Sequence, residues 1–149
     1  MIKTALTINK EAVYNEVAKT TSYTGDKMDD KTAYDRIFTT DEDKTMLERF
    51  WDESKNTIAN SLKRILLNEQ EKDGTYTLLL GLSSSFDEAL TNSMQRSLFS
   101  FFVMNITAKW YTFTNKDEVS GYAAESVTYI DDIMRKAFYK KKPIRPTYN

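Results

Sequence analysis

The chain has 149 residues, enough for one domain with a sizeable core, and its 40% hydrophobic and 29% charged composition excludes a disordered or collagen-like chain. Cysteine and histidine are both absent, which removes disulfides, thiolate ligands, the commonest general base and the commonest zinc ligand. The net charge of −1 is unevenly spread: residues 1–74 carry 12 basic and 15 acidic side chains, residues 75–134 carry 3 and 7, and residues 135–149 carry 6 and none.

In chain order, Ile2, Thr4, Leu6 and Ile8 alternate with Lys3, Ala5, Thr7 and Asn9, which predicts a short strand over residues 2–8. Asn9 then caps a helix predicted from Lys10 to Lys19, with Ala12, Val13 and Val17 as its apolar residues. Residues 20–26 read as a polar loop in which Gly25 supplies a permissive backbone. A helical turn is expected between Asp29 and Phe38, with Ala33, Tyr34, Ile37 and Phe38 on one side.

The next helix is predicted to open at Thr40 or Asp41, with Asp41, Glu42 and Asp43 complementing its dipole. Met46, Leu47, Phe50, Trp51, Ile58, Leu62, Ile65 and Leu66 track one face to about Leu67. Residues 68–74 then read as a charged turn ending in Asp73-Gly74. The stretch TYTLLLGL, residues 75–82, predicts a strand with Gly81 marking a bulge or a close backbone approach. Its partner is expected to be residues 2–8 or a neighbouring subunit.

The longest and most apolar helical pattern runs from Phe86 to Phe113, opening on Ser85 and Glu88 in capping-box spacing. Apolar residues on most of its sides predict a central helix, wrapped by other helices or by a second subunit. Asn115 and Glu118 cap a last helix, along which Val119, Tyr122, Val127, Ile130, Ile133, Met134 and Phe138 keep helical spacing. It should stop near Tyr139 to Lys142, because Pro143 cannot continue it, and residues 143–149 read as an extended tail. The expected architecture is mainly α, a helical bundle with a small β element (strands near 2–8 and 75–82), in one domain over residues 1–142.

No catalytic apparatus is legible. Asp41, Glu42, Asp43 and Asp52 fail as a calcium loop because Met46 stands where its glycine is needed. Asp131 and Asp132 are adjacent and point about 100° apart on a helix, a poor chelate. Neither a G-x-S-x-G elbow nor a glycine-rich phosphate loop is present. No enzyme activity, cofactor or metal is therefore expected. Trp110, Tyr111 and Phe113 would suit stacking on a base or a sugar, but at the end of a core helix packing is the stronger reading. The best candidate for a partner-binding element is the basic C-terminus: Arg135, Lys140, Lys141, Lys142, Ile144, Arg145 and Tyr148. The plainer alternative is a solvated tail whose lysines suit a helix C-terminus. No apolar run reaches the ~18 residues of a membrane span. Residues 1–6 do not resemble a secretion signal, so a soluble protein made in the cytoplasm is expected.

Two stretches carry a family resemblance. Residues 41–67 (DEDKTMLERFWDESKNTIANSLKRILL) resemble the first long helix of small head–tail connector proteins of long-tailed phages and prophages. Residues 89–113, closing on Ala108-Lys109-Trp110-Tyr111, are similar to a later helix of that family, which ends on an aromatic pair. Residues 119–138, with Met134-Arg135 near their end, would then correspond to its last helix. The chain departs from the family where Thr112-Phe113-Thr114-Asn115 replaces an Arg-Glu pair, and residues 1–40 match nothing in it. The resemblance implies a non-enzymatic virion protein that forms a homo-oligomeric ring on the portal, extends the DNA channel and docks the tail. Portal and tail proteins would be its partners, with DNA contact at most incidental. It would reside in the host cytoplasm during assembly and then in the virion. Two other readings stand beside it: a helical adaptor or regulatory protein for one cellular partner, and a nucleic-acid binder, for which the acidic body is unfavourable.

Overall fold

A computed structural model describes residues 1–26 and 43–141. It is mainly helical, with a small three-stranded antiparallel sheet, as the periodicities indicate. In order the elements are β1 (Ile2–Asn9), α1 (Lys10–Asp26), α2 (Lys44–Ser61), β2 (Leu66–Lys72), β3 (Thr75–Leu82), α3 (Thr91–Thr114) and α4 (Val119–Ala137). Short 3-10 turns at Glu88–Leu90 and Lys116–Glu118 lead into the last two helices.

The sheet is ordered β1–β3–β2. β1 runs antiparallel to β3 from Ile2 opposite Leu82 to Asn9 opposite Thr75, so the partner that residues 75–82 require comes from the same chain. The register sets Leu6 beside Leu78 and Ile8 beside Tyr76, all buried on one face. β2 and β3 form a hairpin through Asp73 and Gly74, whose φ angles of 52° and 77° are those of a two-residue type I′ turn. Next to Gly81, opposite Leu79 and Leu80, the β2 register slips between Leu66 and Asn68, and a Cβ on Gly81 would stand 2.8 Å from Met1 Sδ and 3.0 Å from Leu67 Cδ2. Gly81 therefore does mark a close approach, to side chains and not to backbone.

Five boundaries differ from the sequence reading, the last helix among them, which ends at Ala137 and not near Tyr139 to Lys142. Asn9 Oδ1 accepts the Ala12 N–H at 2.9 Å and caps α1 as expected, but the helix continues through residues 20–26 to Asp26 instead of stopping at Lys19. Thr20 and Thr21 hydroxyls donate to the carbonyls of Glu16 and Val17, so polar residues that read as a loop are absorbed by the helix backbone. α2 ends at Ser61, not Leu67. Leu62 and Ile65 are still buried, yet they lie in a turn in which the Ile65 and Leu66 amides both donate to the Leu62 carbonyl at 2.9 Å. Residues 68–74 are not a turn alone, because β2 occupies Leu66–Lys72; it carries no alternation and is exposed from Leu67 onward, so the hairpin turn and not a buried face recruits it. Finally, α3 starts at Thr91, and Asp87, not Ser85, caps the preceding turn by accepting the Ala89 N–H at 3.1 Å. The helical turn expected between Asp29 and Phe38, and the start of α2 at Thr40 or Asp41, lie outside the described residues.

α3 is central, as its apolar girth predicts. Met94, Leu98, Phe101, Phe102, Val103, Ile106, Trp110 and Tyr111 are all buried, on most sides of the helix, and α1, α2, α4 and β1 pack around it. Its Phe102 ring meets Trp51 of α2 at 4.8 Å and Tyr76 of β3 at 6.2 Å, so one aromatic cluster joins both helices to the sheet. Among the described residues, no helix is long and apolar enough to cross a membrane.

Candidate partner-binding surface

The basic end of α4 is built on Asp132. Its Oδ2 accepts from Ser97 Oγ of α3 at 2.6 Å and from Lys136 Nζ at 2.7 Å, and its Oδ1 accepts from Arg135 Nη2 at 2.8 Å. Lys136 also reaches Ser93 Oγ on α3. Burial pushes the Asp132 carboxyl up, but the hydrogen bonds from Lys136 and Ser97 and the lysine charge outweigh it and hold the group below the usual range. Asp132 thus clamps the last turns of α4 onto α3, while Asp131 beside it faces solvent.

Of the residues singled out from the sequence, Arg135 is on this clamp with a side chain that is 77% exposed. Lys140 forms a β-bridge with Phe86, and the Lys141 N–H donates to the Ser85 carbonyl at 2.7 Å. The backbone of both lysines is therefore fastened to the loop before α3, while the residues stay exposed. Lys142, Ile144, Arg145 and Tyr148 lie outside the described residues.

The aromatic trio divides. Trp110 and Tyr111 are 4% and 0% exposed, so they pack as expected and offer no stacking face. Phe113 is 64% exposed and stacks on Phe50 of α2 at 6.2 Å, beside the Glu53–Lys109 ion pair that joins α2 to α3.

Two features escaped the sequence reading. The first is a polar network over the sheet, in which Glu71 of β2 accepts from Trp51 Nε1 at 2.8 Å and Lys55 Nζ at 2.6 Å, with Lys10 Nζ at 3.9 Å. Tyr76 donates to Glu69 at 2.8 Å alongside it. Burial raises the Glu71 carboxyl, and the Lys55 and Trp51 hydrogen bonds more than reverse this, leaving it below its usual range. This network ties the hairpin to α2. No signal in the sequence links Trp51 to Glu71, twenty residues apart, once β2 is read as a turn. The second is an exposed apolar shoulder on α4. Val127 and Phe138 are 55% and 49% exposed, and the Arg64 guanidinium lies 5.5 Å from the Phe138 ring centre. A signal for this existed, because the apolar set along residues 119–138 is wider than one packed face needs.

Among the described residues, no group of three or more carboxylates converges as a metal site would require. Neither a protein-family model, nor a curated protein, nor a solved structure matches this chain.

Proposed function

We propose that this chain is a non-enzymatic structural protein of a phage or prophage, a head–tail connector that assembles as a ring on the portal and receives the tail. The observation that carries this reading is the fastening of the basic C-terminus. The Lys141–Ser85 hydrogen bond and the Lys140–Phe86 bridge hold the chain in place as far as Lys141. Six basic side chains from Arg135 onward then follow an acidic body, which suits a segment that reaches a neighbouring acidic surface. The chain would act in the host cytoplasm during assembly and afterwards in the virion.

The test is a truncation that removes residues 142–149 and leaves the Lys141 anchor in place. The full chain mixed with a portal protein should give a ring-sized species by light scattering. The truncated chain should keep its circular dichroism and thermal midpoint while losing portal association. Indifference of the full chain to portal, or equal binding by the truncated one, would overturn the reading.

A second reading, a helical adaptor for one cellular partner, draws support from the exposed apolar shoulder of α4, which suits a helical partner. It predicts a small defined oligomer with no affinity for portal.

A further inference from the structure

α4 carries two apolar faces, and the chain uses one of them fully. Ser126, Ile133 and Ala137 are buried against α3. The second face runs along the shoulder: Val119, Ala123, Val127, Ile130, Met134 and Phe138, at steps of 4, 4, 3, 4 and 4 residues. Those steps keep the six side chains in a single stripe. Val127 and Phe138 are 55% and 49% exposed, and the other four are half-buried, with Val119, Ile130 and Met134 resting one side on the core and showing the other to solvent. No charged residue of α4 itself interrupts the stripe, and the Arg64 guanidinium lies 5.5 Å from the Phe138 ring centre at its C-terminal end.

The spacing reads the same from either end, and that property selects a partner. When two identical helices pack antiparallel about a twofold axis, residues facing each other have numbers with a constant sum. A sum of 257 places Val127 opposite Ile130, Ala123 opposite Met134 and Val119 opposite Phe138. Each contact sets a smaller side chain against a larger one, which fills the interface without overlap. A parallel pair would instead set Phe138 on Phe138 and Ala123 on Ala123, crowding one end and leaving a gap near the other.

Charge points the same way. The N-terminal end of α4 follows exposed Asp117 and Glu118, and its C-terminal end is followed by exposed Lys140 and Lys141. Antiparallel packing opposes the two helix dipoles and sets the acidic approach to one helix near the basic exit of the other. A parallel pair would bring like ends together.

We propose that α4 pairs antiparallel with α4 of a second copy, about a twofold axis lying between Val127 and Ile130. This contact belongs to the free chain and does not rest on the connector reading.

The experiment is light scattering of the full chain without any partner across a concentration series, together with Val127→Glu and a cross-linking pair. The chain should pass from one mass to twice that mass as concentration rises. Val127→Glu, at an exposed position, should keep its circular dichroism and thermal midpoint but stay monomeric. Because the chain has no cysteine, Val127→Cys chains mixed with Ile130→Cys chains should give a cross-linked heterodimer on oxidation. Ala123→Cys mixed with Ile130→Cys should cross-link at least tenfold less. A monomer at every concentration overturns the proposal and leaves the stripe to a different protein. A ring-sized mass abolished by Val127→Glu also overturns it, and assigns the face to a ring contact. Portal binding is measured separately, so either reading can fail alone.

Discussion

Residue by residue, the polar contacts that matter most join elements distant in sequence, and Trp51 is the sharpest case. Its ring is fully buried, and its one polar atom donates to Glu71 Oε1 at 2.8 Å. Trp51→Phe keeps an aromatic ring against Phe102 but removes that donor, which should cost about 1.5–3 kcal/mol, typical of a hydrogen bond to a charged group. Urea unfolding measures it, and a double-mutant cycle with Glu71→Ala, which removes the acceptor, isolates the pair. The coupling should exceed ~0.5 kcal/mol; a purely additive cycle would mean that Trp51 acts through packing alone. Gly74 offers a contrasting case of pure backbone cost. Its φ is +77° and nothing lies within 4 Å of where a Cβ would stand. Gly74→Ala should therefore lose about 1 kcal/mol through conformation alone, and Gly74→Asn, which tolerates that region, should lose less. Equal losses for the two would point to a contact and not to the turn.

At the scale of elements, the two edges of the sheet are treated differently. The outward backbone of β1 is occupied at Thr7, where the Gln95 side chain of α3 accepts the Thr7 N–H at 2.8 Å and donates to the Thr7 carbonyl. One amide thus does what a residue of a neighbouring strand would do, and it blunts an edge open to extension by another chain. Gln95→Ala should cost about 1–2 kcal/mol for two partly solvated hydrogen bonds. It should also raise strand-mediated aggregation, followed by thioflavin fluorescence. A stability loss without added aggregation would reduce Gln95 to an ordinary tether. β1 and β3 were legible because alternation is a local signal: Leu6, Ile8, Leu78 and Leu80 stand two apart and face the core. β2 was not, since its residues face solvent and only the Asp73-Gly74 turn turns it back on β3. The end of α2 was misplaced because Leu62 and Ile65 stay buried after the helix has ended, so burial continues where the hydrogen-bond pattern changes. The candidate surface was half legible. The basic C-terminus is a matter of composition, whereas the fastening of Lys141 to Ser85 depends on tertiary contact between residues far apart in sequence.

For the whole molecule, the absence of histidine and cysteine shapes the response to pH. No side chain has an ordinary pKa between about 5 and 8, so folding should neither gain nor lose stability through side-chain titration across that window. Among the described residues, three carboxylates set the acid limb, and each joins two elements. Glu53 is held below its ordinary 4.5 by the Lys109 hydrogen bond, which links α2 to α3. Glu71 lies below 4.5 and Asp132 below 3.8 for the reasons already described, linking β2 to α2 and α4 to α3. A group whose pKa falls on folding contributes stability above its unfolded pKa and loses it as pH drops through the folded value. Stability should therefore hold near neutrality and decline below about pH 4.5, with the three interfaces loosening together. The alkaline limb has the opposite origin. Burial raises the Tyr14 and Tyr76 hydroxyls above their ordinary 10.0, and for Lys55 the hydrogen bonds to Glu71 and Asp52 outweigh its burial and lift it above 10.5. Groups raised on folding contribute fully below their unfolded pKa, so this contribution should fade only above about pH 10. Urea midpoints measured from acid to alkaline pH test both limbs. Glu71→Gln and Asp132→Asn should each lower the neutral plateau and make the acid decline shallower, because the variant has one fewer carboxylate to protonate. A lower plateau with an unchanged acid slope would separate the hydrogen bonds from the charge. A transition near pH 6.5 in the unmodified chain would remove the three-carboxylate account, since no side chain here titrates there at its ordinary pKa.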